Sequence, residues 1–107
     1  MSENNKIYEL KFDKVFTRKY RNLGRSFQIQ GDKKIKRLKK NPQDQGKQLR
    51  FFHNLYELRL QMYRIFYLIH EQKVNILFIG LEHKDETDKY LRSLTKDKIN
   101  SMINENL

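Results

Sequence analysis

Residues 49–90 read LRFFHNLYELRLQMYRIFYLIHEQKVNILFIGLEHKDETDKY, and this stretch decides the fold. It contains three apolar segments that short polar breaks separate: Leu55–Leu60, Tyr63–His70 and Val74–Glu82. Short segments that are rich in Tyr, Phe, Ile, Leu and Val are typical of strands rather than helices. The stretch therefore predicts a three-stranded meander.

The break between the first two segments, Gln61-Met62, sets the register of the first hairpin. With a two-residue loop, Leu60 pairs with Tyr63 and Arg59 pairs with Arg64. Side chains alternate between the two faces of a strand. The face that we expect to form the core carries Tyr56, Leu58, Leu60, Tyr63, Ile65 and Tyr67. The other face, away from the main core, carries Leu55, Glu57, Arg59, Arg64, Phe66 and Leu68.

This register makes Arg59 and Arg64 a candidate anion-binding pair. Like charges directly opposite each other destabilise a sheet by a few tenths of a kcal/mol, up to about 1 kcal/mol, and a bound anion removes the repulsion. Two alternatives stay open: both guanidinium groups extend into solvent, or Glu57 neutralises one of them. Gln-Met also lacks the Gly or Asn that tight turns prefer, and a three-residue loop would separate the arginines onto opposite faces.

Length and composition limit the class of protein. A chain of 107 residues is expected to form one domain, residues 1–107. The polar segment Met1–Lys6 is predicted to be disordered. The chain lacks cysteine, and no apolar run approaches the length of a membrane span, so we expect a cytoplasmic protein without disulfides. The net charge of +10 indicates a polyanionic partner, either nucleic acid or an acidic protein.

The N-terminal half predicts a strand followed by two helices. Ile7–Phe12 alternates as a strand does, and Asp13 caps a first helix that runs to about Asn22, with Gly24 as its stop. Ser26 or Asp32 caps a second helix that ends near Asn41. Their apolar stripes, which predict a helical hairpin on one face of the sheet, are Phe12, Phe16, Tyr20 and Leu23, then Phe27, Gly31, Ile35 and Leu38.

The second helix is strongly basic, with six cations in the eight residues 33–40. Such a run is usually a solvated helix face, but this density favours attraction to phosphate. The cations predicted to bind phosphate are Lys33, Lys36, Arg37 and Lys40 of this helix and Lys47 of the following loop, residues 41–47.

The C-terminal part predicts a helix from Asp85, whose first-turn acids complement the helix dipole. Residues 95–107 are expected to be a helical or frayed tail. The predicted fold class is α+β: an N-terminal strand and a helical hairpin packed on a mostly antiparallel four-stranded sheet, followed by a C-terminal helix.

The order of elements and the motifs LRFFHNLYELRL, YRIFYLI and HKDETDKY resemble the RelE/ParE toxin superfamily of type II toxin–antitoxin modules, and the RelE branch in particular. The resemblance extends from about Ile7 to Leu94. It implies a ribosome-dependent messenger-RNA endonuclease, which inhibits translation and cleaves by attack of the ribose 2′-hydroxyl on the adjacent phosphate. It implies no metal and no cofactor, and the partners are the ribosome, messenger RNA and a cognate antitoxin with an acidic, partly helical segment.

The resemblance also implies roles for individual residues. Arg50 matches a loop arginine that contacts RNA, Arg59 matches a strand lysine, and Arg64 matches the arginine of a tyrosine–arginine pair. Lys84 matches an arginine six residues before a C-terminal tyrosine, and Tyr90 matches that tyrosine, which stacks on a base or orients the nucleophile.

Two further side chains enter the predicted catalytic set. Glu57 stands where the family carries a lysine, so it is expected either to act as general base or to neutralise Arg59. His83 adjoins Lys84 and is a candidate for acid–base work, although a neutral surface histidine is the alternative. The three histidines lack the spacing of a metal site.

Two other functions stay open. A toxin of the ParE branch would poison DNA gyrase by binding it, and fold does not separate the two branches because function lies in the site. A degenerate member would bind RNA or antitoxin without cleavage, and Glu57 in place of a lysine favours this alternative.

Overall fold

The computed structural model describes residues 6–50, 52 and 54–107. Its strands are β1 (Glu9–Phe12), β2 (Lys47–Gln48), β3 (Leu55–Leu60), β4 (Tyr63–His70) and β5 (Asn75–His83). Its α-helices are α1 (Lys14–Arg21), α2 (Arg25–Arg37), α3 (Pro42–Gln45), α4 (Thr87–Ser93) and α5 (Lys96–Asn106), and a 3₁₀ turn, Lys84–Glu86, precedes α4. Of the segment Met1–Lys6, predicted to be disordered, residues 1–5 lie outside the described part, as do Phe51 and His53.

The strands form one five-stranded sheet with the order β1-β5-β4-β3-β2. The meander β3-β4-β5 is antiparallel, as predicted, and β1 runs parallel to β5 at one edge. The α+β class is therefore confirmed, but the predicted count of four strands is wrong. The additional strand β2 has two residues and lies at the end of the segment predicted to be a loop. A strand this short has no alternation from which it could be predicted.

The helices α1 and α2 cover one face of the sheet and form its larger core with β3, β4 and β5. Phe16 of α1 and Ile35 of α2 are buried there, which confirms these two positions of the predicted stripes. Phe12, predicted to begin the first stripe, instead ends β1 and is exposed. The predicted core face of the first hairpin is also confirmed, with Tyr63 only partly buried. The other buried members of this core are Tyr8, Leu38, Tyr56, Leu58, Leu60, Ile65, Tyr67, Ile69, Ile76, Phe78 and Leu81.

The opposite face carries a second core, which the sequence did not predict. Leu91 of α4 and Ile99 of α5 pack there against Leu55, Phe66, Leu68, Leu77 and Ile79 of the strands. The face that was expected to lie away from the core is therefore apolar toward one end. Its charged residues Glu57, Arg59 and Arg64 lie toward the β3–β4 loop.

The chain segments between elements explain the remaining differences. Asp13 caps α1 as predicted, because its Oδ2 accepts from the Val15 N–H at 3.0 Å. The prediction for the start of the second helix is wrong: Gly24, expected only to end the first helix, is itself the N-cap of α2. The C-terminal tail is a helix, and Asn106 at its end donates to Asp13 Oδ1 at 3.0 Å.

No helix in the described ranges is long and apolar enough to span a membrane.

Candidate functional site

The β3–β4 hairpin brings two arginines face to face. Arg59 lies opposite Arg64 across the hairpin, and Arg64 lies opposite Glu82 of β5. The predicted two-residue loop is confirmed, and Gln61 adopts a left-handed φ of 53° where glycine or asparagine is usual. A row of three charged side chains therefore crosses three neighbouring strands.

Arg64 is held in place by the hairpin loop. Its Nη1 donates to the carbonyl oxygens of Gln61 at 2.6 Å and Tyr63 at 2.9 Å. Its Nε lies 3.8 Å from Glu57 Oε2, and the two side chains are only 13% and 16% exposed. The guanidinium is thus fixed before any ligand arrives, and such fixed donors stabilise developing charge without reorganising.

Arg59 is the solvent-exposed partner of this pair. Within the described ranges it has no ion pair. Its backbone carbonyl accepts from Lys34 Nζ of α2 at 2.8 Å, which fixes the strand but leaves the guanidinium available. Arg59 is therefore suited to reach an incoming phosphate, and Arg64 is suited to receive it in a fixed geometry.

Glu57 supplies a carboxylate beside the arginines. It pairs directly with Phe66 on β4 and with Lys47 on β2, so the Glu57 and Lys47 side chains share one face. The sequence predicted that Glu57, if it is not a general base, neutralises Arg59. The structure shows Arg64, not Arg59, in contact with it.

Lys19 and Glu82 are charged members of this region that the sequence did not identify. Lys19 Nζ of α1 forms an ion pair with Glu82 Oε2 of β5. The contact joins residues 63 positions apart, so no local pattern could predict it. Glu82 is 20% exposed and lies opposite Arg64. Arg64 therefore has a carboxylate on each neighbouring strand.

Tyr90 of α4 lies over the sheet at the apolar border of this region. Its ring stacks on Phe66 with 4.5 Å between ring centroids, and its hydroxyl lies above Gly80, where a Cβ would overlap it. Burial raises the pKa of Tyr90 well above its ordinary value, and the charges of Glu82 and Asp13 add to the effect. The phenol therefore keeps its proton at neutral pH and is suited to donate a hydrogen bond, not to act as a base.

Lys84 and His83 follow β5 at the hairpin end of the sheet. The Lys84 N–H donates to the carbonyl of Met62 at 2.7 Å, which places the Lys84 backbone beside the hairpin loop, and the residue is exposed. His83 pairs with Tyr63, so its side chain is on the opposite face from the two arginines. Its ring meets Tyr63 edge-on, and its Nδ1 accepts from the Asp85 N–H at 3.1 Å. The structure does not bring His83 together with Arg59 and Arg64.

The predicted phosphate-binding cations are divided between the two faces. Arg50 is exposed just after β2, and Lys47 shares the face of Glu57. Lys33, Lys36 and Arg37 are exposed on α2, which packs against the opposite face of the sheet, and Lys40 is exposed just after the end of that helix. These four cations are therefore separate from Arg59 and Arg64.

The residues around the hairpin form a candidate site for a phosphodiester, which we call the hairpin site: Lys47, Glu57, Arg59, Arg64, Glu82, Lys84 and Tyr90. Arginines bind phosphate oxygens, a carboxylate can accept a proton, and a protonated phenol can donate a hydrogen bond. These groups suit proton transfer and charge stabilisation at phosphorus. Among the described residues, no three side chains of the ligand types His, Cys, Asp or Glu cluster to hold a metal ion.

Comparison with solved structures identifies relatives in fold. The chain matches an arginine double mutant of the E. coli toxin RelE in the free state with a TM-score of 0.70 and 26% identity, over 82% of this chain and 99% of that one. It matches RelE in the intact E. coli RelBE toxin–antitoxin complex with a TM-score of 0.66 and 27% identity, over 71% and 95%.

A more distant match supports the fold alone. The RelBE toxin–antitoxin complex of Mycobacterium tuberculosis gives a TM-score of 0.64 at 20% identity, over 72% of this chain and 98% of that one. No protein-family model and no curated protein sequence matches the chain. Together the structural matches confirm the resemblance to the RelE-like toxin superfamily and support a toxin of the type II toxin–antitoxin class.

Proposed function

We propose that this chain, which has the fold of RelE-like toxins, is a metal-independent endoribonuclease that cleaves messenger RNA on the ribosome. The observation that carries the proposal is the direct opposition of Arg59 and Arg64 beside the carboxylate of Glu57. Two opposed arginines repel each other until an anion binds between them. A phosphate of RNA is an anion whose oxygens guanidinium groups bind well.

In the proposed reaction the ribose 2′-hydroxyl oxygen attacks the adjacent phosphorus as the bond to the 5′-oxygen breaks. The products are a 2′,3′-cyclic phosphate and a 5′-hydroxyl, so atoms and charge balance without added water. Arg59 recruits the phosphate, and Arg64, fixed by Gln61 and Tyr63, stabilises the extra negative charge on the phosphorane.

The proton transfers are assigned by position. Glu57 accepts the proton of the 2′-hydroxyl, because its carboxylate adjoins Arg64. Glu57 then releases this proton to the leaving 5′-oxygen, which completes the 5′-hydroxyl and returns Glu57 to its carboxylate form. Tyr90 remains protonated throughout and donates a hydrogen bond toward this oxygen. Lys84, exposed beside the hairpin loop, adds positive charge at the mouth of the site.

A cognate antitoxin is the expected protein partner. In the E. coli complex, RelE is crystallised with its antitoxin. The net charge of +10 on this chain fits an acidic segment that covers the basic surface until the toxin is released. We expect the adjacent gene to encode this protein, and we expect its co-expression to suppress toxicity and to give a complex that co-purifies.

One observation favours a second candidate, a degenerate member that binds RNA without cutting it. Arg64 has Glu57 at 3.8 Å and Glu82 on the next strand, so two carboxylates offset its charge. Such a protein would hold phosphate weakly and leave it intact.

Induction in cells separates these candidates. The strains express the wild type, Arg59→Ala/Arg64→Ala, or the control Arg92→Ala/Lys96→Ala, which removes two exposed cations near the C-terminus. We expect growth arrest with new transcript ends on ribosome-bound messages for wild type and control, and neither for the hairpin variant. Arrest with intact transcripts and gyrase-dependent DNA breaks would indicate a ParE-like toxin. A folded protein that causes no arrest would indicate the degenerate binder.

A further inference from the structure

Phe12, at the end of β1, has an aromatic ring that packs on other rings and is nevertheless exposed to solvent. Its ring lies nearly parallel to that of Phe78, with 5.0 Å between centroids and 14° between planes, and it also stacks on Phe16. Phe78 and Phe16 are fully buried, whereas Phe12 is 43% exposed. The aromatic stack therefore ends in solvent, at the edge where β1 is the outermost strand that the described residues form.

Three cations line a depression beside this ring. Phe12 borders a surface depression of about 580 Å³ whose charged lining residues are Lys14, Arg18 and Arg21 of α1. Polar Thr17, Asn22 and Asn106 complete its lining, and no acidic side chain of the described residues contributes. Lys14, Arg18 and Arg21 are exposed and have no ion-pair partner within the described ranges.

We propose that Phe12, Arg18 and Arg21 form a base-stacking platform that binds single-stranded RNA. An exposed aromatic face stacks on any base, and adjacent arginines hold the flanking phosphates, which is how sequence-tolerant binding of single strands works. Because Phe78 fixes the Phe12 ring before binding, little side-chain entropy is lost on stacking. The depression has the volume of a small-ligand site.

This platform is separate from the hairpin site. Phe12 is on β1 and its ring joins the core beneath α1 and α2, whereas Arg59 and Arg64 lie on β3 and β4 on the opposite face. The inference goes beyond the proposed cleavage, because it concerns binding only. In this proposal the basic residues of α1 bind the RNA that flanks the cleaved bond, whereas the reacting phosphate binds at the hairpin site.

The charge of the lining favours RNA over a protein occupant. A partner strand could pair with the free edge of β1, and an apolar segment could cover Phe12. Three cations that line the depression beside one ring suit a chain that presents a phosphate and a flat base at every nucleotide. An acidic peptide is therefore the alternative that the test must separate from RNA.

The test uses the purified chain in an Arg59→Ala/Arg64→Ala background, so that the hairpin site contributes little and no cleavage occurs. Anisotropy of a labelled single-stranded RNA twelve-mer reports the Kd. We expect Phe12→Leu to weaken binding about tenfold and Phe12→Trp to retain it. Arg18→Ala/Arg21→Ala is expected to weaken binding and to reduce the slope of log affinity against log salt by about 1.4. The control is Ile29→Ala, which changes an exposed apolar residue on α2. This variant should bind RNA as tightly as the background chain does.

Each result decides the proposal, and none depends on whether the chain cleaves RNA. Unchanged binding by Phe12→Leu, loss that Phe12→Trp does not restore, or no RNA binding by the background chain would each overturn it. So would a Phe12→Leu variant that binds RNA normally but loses affinity for the co-purified antitoxin, which would assign the surface to the protein partner. Circular dichroism melts confirm that the variants are folded.

Discussion

The two faces of the sheet differ in how completely they are covered. Beneath α1 and α2 the core is continuous from Tyr8 to Leu81, with Phe16, Leu60, Ile65 and Phe78 almost fully buried. On the other face, α4 and α5 cover only the end of the sheet that carries Leu55, Leu68 and Leu77. Toward the hairpin loop the same face carries charged side chains.

The difference indicates where stability and function lie. The covered face holds the fold together through apolar burial, which contributes roughly 1.5–3 kcal/mol per large side chain. The partly covered face retains an unfavourable feature, two arginines opposite each other. A feature that costs stability and sits in an open site is more readily explained by ligand binding than by folding.

The largest effect is expected from breaking the covered face at its centre. Phe16→Ala removes a ring that is 1% exposed and stacks on Phe12 and Tyr20, so we expect the free energy of unfolding to fall by about 3–5 kcal/mol. The matched change on the other face, Leu91→Ala, should cost about 2 kcal/mol. Urea unfolding measures both, and equal costs for the two variants would contradict the comparison.

Removing one arginine should harm activity while sparing stability. We expect Arg59→Ala to lower the rate of RNA cleavage by about 10²–10³-fold, because it removes a phosphate contact in the transition state. Its stability should be unchanged or higher by a few tenths of a kcal/mol, since a like-charge repulsion disappears. Arg92→Ala is the control for lost charge. A destabilised Arg59→Ala protein would show that the arginine is structural.

On the partly covered face of the sheet, a methyl group at Gly80 should disturb the border between the apolar end and the charged end. Gly80→Ala places a Cβ where the Tyr90 hydroxyl lies, so we expect a loss of about 1–3 kcal/mol in the free energy of unfolding. Tyr90→Leu, which shortens the side chain, should recover part of that loss in the double variant. Simple additivity of the two changes would show that Tyr90 does not occupy this position.

The smallest effect is a change in pH dependence. The pKa of Tyr90 is raised in the folded state, so the folded protein holds this proton more tightly than the unfolded chain does. The resulting stability is fully present below about pH 10, the ordinary tyrosine pKa, and is lost as pH rises above it. Tyr90→Phe should therefore lose stability less steeply above pH 10 in thermal melts. Burial also raises the pKa values of Tyr20, Tyr56 and Tyr67, so the variant should still lose some stability as the pH rises. Identical slopes for variant and wild type would contradict the assignment.

The sequence predicted the hairpin because its signal is local. The alternation of Leu55–Leu60 and Tyr63–His70 and the two-residue gap are enough to pair Arg59 with Arg64. The stripe through Phe16 and Ile35 is equally local and predicted the covered face. The α+β class and the resemblance to the RelE-like superfamily follow from the order of these elements.

The remaining features depend on contacts between distant parts of the chain. The Lys19–Glu82 ion pair, the stack of Tyr90 on Phe66 and the bond from Asn106 to Asp13 each join separate elements. The second core formed with α4 and α5 was not predicted, because the tail has too few apolar residues in a helical pattern to indicate a buried face. Gly24 was misassigned because a glycine between two helices can end one or begin the next.

The end chemistry of RNA cut by the purified chain on programmed ribosomes tests attack by the ribose hydroxyl at the hairpin site most directly. We predict cleavage within the occupied codon, with a 2′,3′-cyclic phosphate on one product and a 5′-hydroxyl on the other, and no cleavage by Arg59→Ala/Arg64→Ala. Intact message, or products with a 5′-phosphate, would contradict this mechanism.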